Sequence, residues 1–204
     1  MIRILVTVRM FRVFFTVLFL VSLLGCHFTS GRSEISYDQN EALLEAVEAD
    51  NLEMAITLLD KGADPNAKRS EGSNLTVLML AARNGNSRLV KELLTDGSDP
   101  NITAAVAVGV SHVNEGITAL MLSAASGDAK TMQILLNYGA NALVKDSTGN
   151  TLLHYAVEKQ GAIDVVRLAL AHGVDRNAKN AQGQTALDKA KAAGNYEIIS
   201  ELMY

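Results

Sequence analysis

The side chains best equipped for chemistry in this chain are few and poorly matched to one another. Ser111, His112 and Glu115 bring a hydroxyl, an imidazole and a carboxylate into one short stretch, the residue types of a hydrolytic triad. Nucleophile, base and orienting acid must converge from separate elements, which neighbours in a single loop do not do. No second histidine at metal spacing and no glycine-rich phosphate loop accompanies His112, so a metal site there has no support. His172 stands directly before Gly173, where a cation suits the carbonyl end of a helix. No catalysis, metal or cofactor is expected. One residue remains. Cys26 is the only cysteine, so no disulfide can form within the chain, and its thiol closes an apolar run that starts at Val13.

The surroundings of Cys26 suggest what that thiol is for. Met1 to Arg12 carries Arg3, Arg9 and Arg12 without an acid, and Val13 to Leu24 is apolar, the layout of an export signal. The uncharged stretch is shorter than the roughly 20 residues that span a bilayer. Met10 is an alternative start. Leu23-Leu24-Gly25-Cys26 resembles a bacterial lipobox. That resemblance implies a thioether-linked diacylglycerol on Cys26, cleavage after Gly25 and acylation of the new amino terminus. Several acyl chains, at about 0.8 kcal/mol per buried methylene, hold a protein on a bilayer far better than one. An ordinary signal peptide with an incidental cysteine is the alternative. His27 stands where an inner-membrane retention signal has Asp, which favours the outer membrane. The expected division is 1–25 leader, 26–37 lipidated cysteine and short polar tether, and 38–204 a repeat domain, monomeric and facing the periplasm.

Charge narrows the partners. All 22 acids follow Cys26 while three of the 18 cations precede it, leaving a net of −7 beyond the leader. Nucleic acid is excluded as a partner, since phosphates demand clustered cations.

Beyond Asp38 the sequence repeats. Units close on Gly62-Ala63-Asp64-Pro65-Asn66, Gly97-Ser98-Asp99-Pro100-Asn101, Gly139-Ala140-Asn141-Ala142 and Gly173-Val174-Asp175-Arg176-Asn177. They open on Thr76-Val77-Leu78-Met79-Leu80-Ala81-Ala82, Thr118-Ala119-Leu120-Met121-Leu122-Ser123-Ala124, Thr151-Leu152-Leu153-His154-Tyr155-Ala156 and Thr185-Ala186-Leu187-Asp188-Lys189-Ala190. These resemble the ankyrin pattern, a Thr-Pro-Leu-His-x-Ala opening in a period of about 33 residues. The resemblance implies an all-α solenoid of helix-turn-helix units with β-hairpin fingers. Thr caps the first helix, Gly85 or Gly127 ends it by reaching the left-handed region, and the Leu pair of the second helix builds the core. His154 occupies the motif histidine position, where the family's imidazole bonds backbone across repeats.

Five units follow, roughly 38–68, 69–102, 103–146, 147–180 and 181–204. The first has Glu41-Ala42-Leu43-Leu44 in place of a Thr opening and the last lacks a closing glycine; both suit polar caps. Gly62 to Gly97 is 35 positions, Gly97 to Gly139 is 42 and Gly139 to Gly173 is 34. The long middle interval places an insertion between Asn101 and Thr118. It either lengthens a finger and presents Val106, Val108 and Val110 to a partner, or folds back to cover adjacent helices.

Aligning the units puts Glu45, Leu80, Leu122, Tyr155 and Lys189 at one position. An apolar centre with a charged rim is the pattern of an interface, with Arg83, Asn84 and Glu158 nearby to orient a protein partner; Tyr155 and Arg83 are hot-spot residue types. Exported bacterial ankyrin proteins that the chain resembles include some linked to catalase-dependent peroxide defence. An adaptor or stabiliser of an envelope enzyme is therefore expected, the alternative being an inhibitor or immunity protein against an envelope-acting toxin or lipase.

Overall fold

The computed structural model describes residues 34–69, 74–108 and 112–203, and for 34–38, 107–108 and 112–113 the backbone alone. The chain divides into Met1–Ile35 and Ser36–Tyr204; the lipobox and Cys26 lie outside the described residues. Ten helices are described, in five pairs: α1 (Glu34–Glu48) with α2 (Leu52–Asp60), α3 (Val77–Arg83) with α4 (Ser87–Thr95), α5 (Ala119–Ser126) with α6 (Ala129–Asn137), α7 (Leu152–Ala156) with α8 (Ile163–Ala171), and α9 (Ala186–Ala192) with α10 (Tyr196–Met203). None of the described helices is long and apolar enough to cross a membrane. Helix α1 begins at Glu34, inside the stretch expected to be a tether.

Helix starts follow from side-chain oxygens that satisfy orphan backbone donors. Thr76, Thr118 and Thr185 each accept from the backbone N–H three residues on, at 3.2, 3.3 and 3.2 Å. The second helices use Asn51, Asn86 and Asp128 in the same way. Gly127 ends α5 at φ 78°, a left-handed conformation that a Cβ disfavours.

Stacking builds the core. First helices pack on first helices (α3 on α5, α5 on α7) and second on second (α4 on α6, α6 on α8). Leu78, Leu89, Leu93, Leu120, Met132, Leu135 and Leu153 lie buried between them, each stabilising by about 1.5–3 kcal/mol relative to an exposed side chain.

The insertion forms a β-hairpin of β1 (Ala104–Val108) and β2 (His112–Ile117). The strands are antiparallel, with Ala104 opposite Ile117, Val106 opposite Asn114, and a bulge between Ala104 and Val106. Each expectation for this segment is met only in its backbone part, and Val106 is turned to the core and not to a partner. The hairpin lengthens a finger, while its base, Ala104 and Ile117, is buried and Val106 packs half-buried against the core. The side chain of Val108, and Val110 altogether, lie outside the described residues.

Each unit-closing turn is an Asx turn, in which the residue two positions on donates its N–H to the Asp or Asn side chain. Asn66 to Asp64, Asn101 to Asp99, Leu143 to Asn141 and Asn177 to Asp175 all bond at 2.8–2.9 Å. Asparagine at the third turn position then reaches the next unit. Asn66 accepts from Asp99 N and donates to Gly97 O, at 2.8 and 3.3 Å; Asn101 accepts from Asn141 N and donates to Gly139 O, at 2.9 and 3.0 Å. Asn40 of α1 begins the ladder by accepting from Asp64 N at 2.7 Å. It stops at Leu143, whose side chain has nothing to offer Asp175 N or Gly173 O and stands 62% exposed.

Candidate protein-binding surface

Fingers and first helices form the inner face, and the fingers are tied together by backbone. Ser147 N donates to Glu115 O and Ala181 N to Thr148 O, both at 2.8 Å. Such closeness needs glycine. At Gly116, φ 82°, a Cβ would sit 3.3 Å from Asp146 Cα, and at Gly149, φ 76°, 3.3 Å from Asn180 Cα.

Beneath the fingers lies a buried polar network centred on Asp146. Its Oδ1 accepts from Thr148 N, Thr148 Oγ1 and Asn150 N at 2.9, 2.8 and 2.8 Å. Its Oδ2 accepts from Asn114 Nδ2, Asn150 Nδ2 and the Tyr155 hydroxyl at 2.9, 3.1 and 2.5 Å. Burial alone pushes this carboxyl up, yet the bonds from Asn114, Tyr155, Thr148 and the Asn150 backbone outweigh it and hold the group below its ordinary 3.8. Asn150 in turn accepts from Asn180 Nδ2 at 3.0 Å, carrying the network into the last finger. Asn114, from the insertion, also donates to the Tyr155 hydroxyl at 3.1 Å and accepts from Ser147 Oγ at 3.0 Å, which locks the hairpin to the fourth unit.

His154 serves the same scaffold. Thr151 N can only donate, so Nδ1, 3.1 Å away, is unprotonated; Gln184 O can only accept, so Nε2, 3.0 Å away, carries the proton. The ring is a neutral bridge between the fourth and fifth units, as the motif position implied. Burial keeps it neutral, pushing its pKa below the ordinary 6.5 against the pull of the Gln184 carbonyl. His172 caps its helix, with Nδ1 2.9 Å from Leu168 O.

Several of the expected contact residues are placed differently. Leu80 is only 2% exposed, because all of Val77–Ala82 is buried in the middle of the stack. It is a core residue and offers nothing to a partner. Leu122 is half-buried against the core. Tyr155 is also half-buried with its hydroxyl committed to Asp146; burial and then that bond push the phenol well above its ordinary 10.0. Arg83, Asn84 and Glu158 are exposed, but Asn84 also donates to Val47 O at 3.2 Å and Glu158 pairs with Lys189 at 2.5 Å. The inner face is therefore polar, without the apolar centre the alignment suggested. Ser111 lies outside the described residues, as does the His112 side chain, and Glu115 accepts and donates through its backbone to Ser147. Among the described residues no group of three or more His, Cys, Asp and Glu converges on a metal position.

The residues that reading by motif missed are Asp146, Asn114, Asn150 and Asn180. A signal was present: Asp146 and Asn180 stand at the same distance before the opening threonines Thr151 and Thr185. Asp and Asn at such positions organise turns through their own backbone.

Helix pairs with interlocked fingers at this spacing are matched by sequence comparison. Ankyrin repeats in three copies match residues 78–180, and ankyrin repeats in many copies match 41–94. The chain belongs to the ankyrin-repeat family. An ankyrin repeat protein of Fowlpox virus is 34% identical over 170 residues, covering 81% of this chain and 48% of the viral one. Mitochondrial disaggregase of Bos taurus is 33% identical over 169 residues, 81% of this chain and 24% of the disaggregase. The Homo sapiens disaggregase is 46% identical over 65 residues, 32% of this chain and 9% of its own. The chain spans about half the length of the viral relative and less of the disaggregases. Ankyrin arrays are protein–protein interaction modules and generally non-enzymatic scaffolds, so a protein partner is the functional conclusion of the fold.

Proposed function

We propose that this ankyrin array is a lipid-anchored adaptor of a bacterial envelope. It faces the periplasm, at the outer membrane in preference to the inner, and holds an envelope enzyme on its finger surface. The observation that carries this reading is Leu23-Leu24-Gly25-Cys26 standing directly before the repeats. Exposed Arg83 and Glu158, with the projecting hairpin, are the groups offered to the partner. A polar inner face suits a reversible or regulated association, in which charge complementarity sets partner choice and on-rate. The net of −7 beyond the leader favours a second reading, an inhibitor of a cationic envelope-acting toxin.

Labelled palmitate fed to expressing bacteria should enter the protein, and Cys26→Ser should abolish both labelling and cleavage after Gly25. A serine variant that is processed and fractionates like the parent would sink the anchor. Capture from an envelope extract, followed by Arg83→Glu and Glu158→Arg, tests the surface. A co-purifying enzyme supports the adaptor, a secreted toxin the inhibitor, and undiminished capture by both variants removes the inner face.

A further inference from the structure

The outer layer holds a second feature, on the second helices and away from the fingers. A cleft of about 550 Å³ lies between α4 and α6, lined by Arg88 and Lys91 from one helix and Lys130, Ile134, Asn137 and Tyr138 from the other side. That volume falls within the roughly 300–1,000 Å³ of ligand-binding pockets. Arg88 and Lys91 are three apart and Lys130 and Ile134 four apart, so each pair shares a helix face. Arg88, Lys91 and Lys130 are exposed and form no ion pair among the described residues. Ile134 is half-buried, and Tyr138 is 42% exposed with its hydroxyl 3.2 Å from Thr95 Oγ1. That contact ties the Tyr138 side chain, part of the cleft's lining, to α4.

We propose that this cleft binds an acidic peptide segment bearing an apolar side chain, at a site independent of the lipid anchor and of the inner face. Three cations converge on it although the chain as a whole is acidic, so the attraction is local. Its confinement decides between a peptide and a membrane. The outer helices on either side carry no such excess of cations: α2 exposes Glu53 and Asp60, with Lys61 at its end, and on α8 Asp164 pairs with Arg167. A plane of anionic lipid would meet these acids together with the cations. A segment lying along the groove meets the cations alone, sets its apolar residue on Ile134 and packs against Tyr138, a residue type enriched at binding hot spots.

The test uses the full-length protein in detergent and a fluorescein-labelled nonapeptide of alternating Glu and Leu, read by anisotropy. The peptide should bind, more weakly as salt rises. The triple variant Arg88→Glu, Lys91→Glu, Lys130→Glu should weaken it at least about tenfold, since charge reversal adds repulsion to lost attraction. Tyr138→Ala should weaken it about threefold or more, by loss of apolar contact. Arg83→Glu on the inner face should leave it unchanged. The reversed side chains are exposed, so thermal melting should match the parent; Arg88→Gln, which removes one charge without reversing it, gives a milder check. Undiminished binding by the triple variant, equal loss in Arg83→Glu, or binding to phosphatidylglycerol vesicles without binding to the peptide would each overturn the proposal.

Discussion

The break in the asparagine ladder at Leu143 can be repaired, and the repair has a calculable size. In Leu143→Asn the new Oδ1 can accept from Asp175 N and the new Nδ2 can donate to Gly173 O, repeating what Asn101 does at 2.9 and 3.0 Å one unit earlier. Water competes at this surface, so each bond contributes at the low end of its range, about 0.5 kcal/mol. Little apolar burial is lost, because Leu143 is already 62% exposed. Ordering the asparagine side chain offsets part of the gain, leaving about 0.5–1 kcal/mol of stabilisation. The reverse change, Asn101→Leu, removes two existing bonds and strands Asn141 N and Gly139 O, costing about 1–2 kcal/mol. With a urea slope of about 2 kcal/mol/M, the midpoints should move up by about 0.4 M and down by about 0.7 M. The double variant Asn101→Leu, Leu143→Asn should lie between them. Far-ultraviolet circular dichroism against urea measures all three. A lowered midpoint for Leu143→Asn, or no response to Asn101→Leu, would refute the ladder as a source of stability between units.

Tyr155→Phe should cost about 1.5–3 kcal/mol, the worth of a hydrogen bond to a charged group, seen as a lower urea midpoint at pH 7. Asp146 has a folded pKa below its ordinary 3.8, so its contribution is complete above that pH and is lost as pH falls through the folded value; Asp146→Asn should remove this part of the acid-denaturation curve. His154 has a folded pKa below 6.5, so its unfolded form takes up the proton first and stability should fall as pH drops from 6.5 toward the folded value. That slope should vanish in His154→Phe, measured by denaturation between pH 5 and 8. Leu135→Ala, at a site with no exposure, should cost about 2–5 kcal/mol, whereas Glu45→Ala, on the exposed side of α1, should leave the midpoint near the parent's.

Much of the fold was legible because a repeat writes its local rules several times. Thr76, Thr118 and Thr185 cap helices with their own side chains, Gly127 ends one by its positive φ, and the spacing of closing glycines located the hairpin. These are contacts within a few residues, so residue type and register decide them. Even the bridge from His154 to the next unit followed from its motif position. Burial and side-chain commitment did not follow. Leu80, Leu122 and Tyr155 are equivalent in register, yet one is core, one half-buried and one bound to a carboxylate. What covers a position is set by the neighbouring unit and its finger, dozens of residues away. Asn114 meets Asp146 across 32 positions, and the cations of the outer cleft come from different units, α4 and α6. Sequence alone determined the units and their caps; only stacking decided which side chains each unit leaves to a partner, because exposure belongs to the interface between repeats and to neither repeat by itself.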